Sequence, residues 1–242
     1  MKITSMTSNM KNTVINFAKH FKRICIHKFY VCINCFKAGI PLQGILHDLS
    51  KFSITELSES IKYYQDGKSP IEVCKENNEY STAWQHHKGR NPHHFEYWLD
   101  YTEFRTIEPI EMPYKYVLEM VCDFIGAGIA YAGGIDKFKY DKEFLFWITK
   151  KTNMGQFIHF RTRAFMDIVL YDMAKYESNN ILSRRDGILP SLYITDMIWD
   201  MLHNSNKEQC EELFNEYIKG GYNAMYDKYI SLAEFTIIQE SN

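Results

Sequence analysis

The sequence predicts an all-α fold, a helical bundle followed by a C-terminal helical extension. Two observations carry this. Apolar residues recur at helical spacing along most of the chain, and short Gly/Pro segments (Gly39–Pro41, Asp66–Pro70, Gly89–Pro92, Gly133–Gly134) punctuate the periodic stretches.

The elements follow in order. From about Thr13 to Ala38, Val14, Phe17, Phe21, Ile24, Phe29, Cys32 and Phe36 fall at helical spacing, and Gly39 and Pro41 end the run. A short helix with Leu42, Ile45, Leu46 and Leu49 comes next. Ser53 and Glu56 form a capping-box pattern opening a third helix towards Tyr64. DGKSP, Asp66 to Pro70, reads as a turn. A helix from Tyr80 to His87 precedes the break GRNP, and Pro92 suits the first turn of another helix through His93, His94, Tyr97 and Trp98. Residues from about Thr102 to Met112 read as a loop. Pro113 opens a helix to about Tyr131, which Gly133 and Gly134 end. Further helices are expected over about Lys142–Lys150, Gly155–Tyr176, Pro190–His203 and Lys207–Lys219. The chain is expected to be a single helical domain, with a core over about 13–135 and an extension over about 140–242, whose region after about Asn179 could be a helical extension or an oligomerisation surface.

Composition narrows the function classes. Apolar residues make up 45% and aromatics 15%, enough for a buried core. The 28 basic and 30 acidic side chains nearly balance, which argues against a nucleic-acid or anionic-membrane partner bound by bulk charge. No apolar run is long enough for a membrane span, and no signal peptide is evident at the N-terminus. Six dispersed cysteines suit reduced core thiols, so a cytoplasmic location is expected.

The chemistry lies in a histidine and aspartate series. Seven of the nine histidines fall between His20 and His94. The chain supplies His27, then His47 with Asp48 in GILHDLSKF, then His86 and His87, His93 and His94, and finally Asp123 in MVCDFIGAG. Imidazole and carboxylate together suit manganese, iron, zinc and magnesium. Sites between facing helices collect such ligands one or two at a time. Neighbouring residues on a helix point about 100° apart, so His47 and Asp48 share an ion only near a helix end or between their faces. Taken singly, each histidine is more often an ordinary core or surface residue. The ordered series argues otherwise.

That order resembles the HD-domain superfamily of metal-dependent phosphohydrolases, whose core pattern is a histidine, a His-Asp dyad and a distant aspartate on a helical scaffold. The extra histidines resemble its two-metal branches, including the HD-GYP cyclic-dinucleotide phosphodiesterases and the mixed-valence di-iron oxygenases. Lys51 in HDLSK matches the lysine those branches carry after the dyad. The GYP tripeptide is absent. The wording HDLSKF, AWQHHKGRNPHHFEYW and MPYKYVLEMVCDFIGAG also resembles an uncharacterised family of bacterial and phage proteins.

The resemblance, which spans about residues 20 to 130, implies an HD-like bundle and one or two divalent ions, Mn, Fe, Mg or Zn. It implies His27, His47, Asp48 and Asp123 at a first metal and His87 and His94 at a second, with Asp48 shared. It implies a phosphomonoesterase or phosphodiesterase acting on a small phosphorylated metabolite such as a nucleotide, through a water activated by the metals. Asp48 and Lys51 would be catalytic, and Lys51, Arg90 and His93 would contact substrate. Lys51 could otherwise form a surface ion pair with Glu56. Glu119, one turn before Asp123, either orients a histidine or faces solvent. His20 is expected at the surface. The same ligand set also fits a di-iron oxygenase, or a catalytically silent metal- or nucleotide-binding interaction protein.

Overall fold

A computed structural model describes residues 2–101, 103, 106–140, 155–183 and 193–240. Helices dominate: α1 (Lys2–Lys37), α2 (Pro41–Leu46), α3 (Ile54–Lys62), α4 (Pro70–Asn78), α5 (Thr82–Lys88), α6 (Tyr114–Ala132), α7 (Phe160–Tyr176), α8 (Ile194–His203) and α9 (Lys207–Glu240). Strands β1 (Leu99–Tyr101) and β2 (Ile107–Pro109) form an antiparallel ribbon, with Asp100 opposite Glu108. The all-α expectation holds. No described helix is long and apolar enough to cross a membrane.

Backbone packing groups the chain into two compact units, residues 1–97 with 122–138, and residues 98–121 with 139–242. Thus α6 starts in the second unit and ends in the first. In the first, α1 is buried along Ile24, His27, Val31, Cys35 and Ala38. That stripe is not the one the aromatic spacing suggested. Val14 (65% exposed), Phe29 (60%) and Phe36 (56%) point away from the buried face, because they lie on the opposite side of the helix.

Two glycines set the approach of the helices to α1. A Cβ on Gly44 of α2 would lie 2.7 Å from Cys35 Cβ and 2.9 Å from Cys32 Cα. A Cβ on Gly126 of α6 would collide with the Val31 side chain and sit 3.1 Å from the His27 carbonyl. Only hydrogen at these positions lets both helices pack against the turns of α1 that carry His27 and Val31. The CxxC of Cys32 and Cys35 is therefore packing at a helix crossing, and all six cysteines are free.

In the second unit, Tyr114, Phe165 and Trp199 form a ring cluster with centroids 5.4 to 5.7 Å apart. Glu111 accepts from Arg161 Nη1 and pairs with His203 Nδ1, each at 2.7 Å. Arg161 thus serves the unit's own packing.

Several elements depart from the sequence reading. Helix α4 fills a stretch read only as following a turn, because Ser69 and Pro70 start a helix there. Pro92 opens no α-helix; a turn leads into one 3₁₀ turn, Phe95–Trp98. The loop before Pro113 contains the β ribbon. Helix α9 extends well beyond Lys219 and breaks at Gly221, whose φ is 72°. The expected helix Lys142–Lys150 and the start of Pro190–His203 lie outside the described residues.

Candidate metal centre

The donors that share Asp48 gather around α1, and all of them are residues of the first unit. His27 comes from the buried face of α1. Helix α2 ends at Leu46, and the Lys28 ammonium donates to the carbonyls of Ile45 and His47 at 2.8 and 2.7 Å, satisfying carbonyls the helix end leaves open. His47 then leaves the helix in an extended conformation, and Asp48 takes a left-handed one (φ 53°, ψ 29°). The dyad is thus at a helix end, which resolves how adjacent side chains converge. A non-glycine residue there costs about 1 kcal/mol, least for Asp and Asn, and such strain gathers at functional sites.

Helix α3 fixes α5. Ser53 Oγ accepts from Glu56 N at 3.3 Å, which makes the backbone half of the capping box. The Glu56 side chain does not complete it. It is buried, and it meets His86 Nδ1 at 2.7 Å and His87 Nδ1 at 2.9 Å. One turn further on, Glu59 accepts from the backbone N–H groups of Thr82 and Ala83 at 3.1 Å, placing a carboxylate at the start of α5. After α5 the chain doubles back. Asn91 Nδ2 donates to the His87 carbonyl and to Ser50 Oγ, both at 2.8 Å, so His93 and His94 return towards Asp48. Asn91 thus braces the turn. This reversal explains how histidines so close in sequence reach one place.

Two donor groups share Asp48, namely His27, His47, Asp48 and Asp123, and Asp48, His87, His93 and His94. Within each, the donor atoms lie within 4.8 Å of one another. The carboxylate divides its oxygens between them. Asp48 Oδ2 is 3.2 Å from His27 Nε2 and 3.1 Å from His47 Nε2, and Asp123 Oδ1 is 3.2 and 3.4 Å from those nitrogens. Asp48 Oδ1 is 3.3 Å from His87 Nε2 and 3.4 Å from His93 Nε2.

These residues fit a metal. Donor atoms at roughly 2.1 Å from a shared ion lie about 3.0 to 3.4 Å apart in octahedral or tetrahedral arrangements. His27 Nε2 and His47 Nε2 are 3.2 Å apart, so at most one can present a proton to the other. Asp48 Oδ1 and His94 Nε2 are buried without a hydrogen-bond partner. Glu56 can only accept while ionised, so His87 donates from Nδ1 and turns its Nε2 lone pair to Asp48, the tautomer a metal needs. The buried histidine and aspartate cluster can hold a metal ion.

The electrostatics agree. Burial works against the charge of Asp48, but His47, Lys51, His87 and His27 hold its carboxyl well below its ordinary value. Burial likewise opposes Asp123, and His27 and His47 outweigh it. Burial, reinforced by His93, pushes His94 well down, leaving it a neutral imidazole. Lys51 contacts Asp48 Oδ2 at 2.5 Å, and Asp48 and Asp123 keep its ammonium charged against burial. It pairs with Asp48 and not with Glu56.

A cleft of about 170 Å³ opens on the centre, with His27, Lys51, His87, His94 and Asp123 in its wall. His20 and Arg23 line it too, so His20 is half-buried and faces the cleft. Arg90, expected at the substrate, is exposed and lies outside the cleft wall. His93, also expected there, joins the donor atoms around Asp48. Glu119 is buried, which rules out the solvent-facing reading. Sequence reasoning missed Glu56 as a histidine partner, Lys28, and Arg23. Only Glu56 left a signal, as the third-position acid of a helix whose box it leaves half made.

The model of a family described as a family of unknown function (DUF5662) matches residues 16–170, a span that contains every donor of the centre. No curated protein and no solved structure matches the chain.

Proposed function

The chain belongs to this family of unknown function, DUF5662, and from the geometry of its centre we propose that it is a metal-dependent phosphohydrolase acting on a small phosphorylated metabolite. The observation that carries the proposal is the division of the Asp48 carboxylate, one oxygen to His27 and His47 and the other to His87 and His93. A carboxylate so placed suits a bridge between two cations.

His27, His47, Asp48 and Asp123 would hold one divalent ion, and His87, His93 and His94 a second, with Asp48 common to both. When bound, such ions supply Lewis acidity, acidifying water and neutralising charge on phosphoryl oxygens. The chain's own groups do the rest. Glu56 fixes the tautomer and ring plane of His87. Lys51, charged and in the cleft wall, offers an ammonium to the anionic group and to the charge that grows on it during transfer. Asp48 anchors that ammonium.

The test is phosphate release from a panel of small phosphate esters, using protein loaded with Mn²⁺, Fe²⁺ or Mg²⁺ under nitrogen. The proposal expects turnover without dioxygen, reduced at least about a thousandfold by Asp48→Asn. Turnover that requires dioxygen would assign the site to oxygenase chemistry instead.

A further inference from the structure

We propose that Arg23 recognises a second anionic group on the substrate, so that the preferred ligand is a compact phosphate ester carrying an additional carboxylate or phosphate. The inference rests on the phosphohydrolase reading and names the substrate class it requires.

Arg23 stands four residues before His27 on α1 and lines the same cleft. Residues so spaced present Cβ atoms about 5 to 6 Å apart on one helix face. Its surroundings differ from those of the neighbouring cations. Lys51 is taken by Asp48, and Lys19 by Asp66 at 2.6 Å. Among the described residues, no carboxylate comes within salt-bridge distance of Arg23. Neutral groups hold it instead. Nη1 donates to the Lys68 carbonyl at 3.3 Å, Nη2 donates to the Tyr64 hydroxyl at 3.2 Å, and Cζ lies 5.1 Å from the ring centroids of both Tyr64 and Tyr131. A guanidinium has five N–H donors in a rigid fork, and these two contacts leave others for an oxyanion. Two rings and two hydrogen bonds already order the side chain, so a ligand would not have to immobilise it.

His20, one turn further along α1, strengthens the assignment. It lines the cleft, and its Nδ1 is buried without a hydrogen-bond partner. Burial, aided by Lys51 and Arg23, brings its pKa down to about 4, so it is a neutral hydrogen-bonding group near neutral pH. Successive turns of α1 thus carry a metal donor, a held cation and a neutral imidazole. The volume of about 170 Å³ is close to the roughly 150 Å³ of a cavity that accepts benzene, which suits a compact body between the two charges.

The test uses Mn²⁺-loaded full-length protein and two non-hydrolysable probes, 3-phosphonopropionate and propylphosphonate, which differ in a terminal carboxylate against a methyl. Calorimetry on the wild type is expected to give at least about tenfold tighter binding of the carboxylate probe. Arg23→Met should erase that preference while leaving propylphosphonate affinity within about twofold, and Arg23→Lys should restore only part of it. Metal-dependent binding of both probes with equal affinity by the wild type would overturn the inference and leave the phosphohydrolase reading standing. An Arg23→Met variant that loses both probes together, with a lowered Tm, would make Arg23 a structural tie and also overturn it. Failure of both probes to bind the metal-loaded wild type would bring down both readings.

Discussion

Asp48 concentrates most of the chemistry in one side chain. Its left-handed backbone turns the carboxylate between two sets of imidazoles, and neither its sequence position nor its helix-like surroundings announced that conformation. The residue types of the centre were legible, because histidines and aspartates in that order have few other uses. Their support was not, since Glu56 looks like a cap until α5 is packed beside it. Glu56→Gln keeps the shape but weakens the acceptor that orients His87, and is expected to lower metal affinity about 10- to 100-fold with little effect on Tm. Titration with a fluorescent chelator checks it, and an unchanged affinity would reduce Glu56 to scaffolding. Imidazole binds a metal only when neutral, so protons compete for the ring nitrogens, affinity should fall on acidification, and protons still bound are released on metal binding. Calorimetry in buffers of different ionisation enthalpy measures that release.

At the scale of elements, the centre depends on how closely α2 and α6 approach α1. The helices were legible from apolar periodicity, but which stripe of α1 is buried was not. Phenylalanines mark the periodicity as strongly on the exposed side, and the crossing is set by glycines that carry no hydrophobic signal. Gly126→Ala would force α6 off Val31 and carry Asp123, one turn earlier, away from His27. The expected cost is about 1 to 3 kcal/mol, or roughly 2 to 10 °C in Tm. Metal content should fall with it. Calorimetric melting and metal analysis of the same sample would show both effects, whereas a variant that keeps its full metal content would separate Asp123 from the crossing.

For the whole molecule, every member of the two donor groups that share Asp48 lies in the unit formed by residues 1–97 and 122–138, while the other unit carries its own polar network. The clustering of histidines along the chain marked where the donors lie. The return of residues 98–121 to the second unit was not legible, since nothing local marks a boundary inside α6. Burial opposes the charge of Glu111, but Arg161 and His203 outweigh it and hold the carboxyl below its ordinary 4.5. The pairing therefore stabilises the fold above about pH 4.5, and that stability is lost as pH falls through the lower folded value. Glu111→Gln should show a shallower loss of Tm on acidification than the wild type, with metal stoichiometry unchanged. Most direct of all is the metal content of the full chain after reconstitution and desalting, measured by plasma mass spectrometry. The shared carboxylate predicts about two equivalents of a divalent transition metal per chain in the wild type and no more than about one in Asp48→Asn. Less than about half an equivalent in the wild type, with manganese, iron and zinc each tried, would contradict the account.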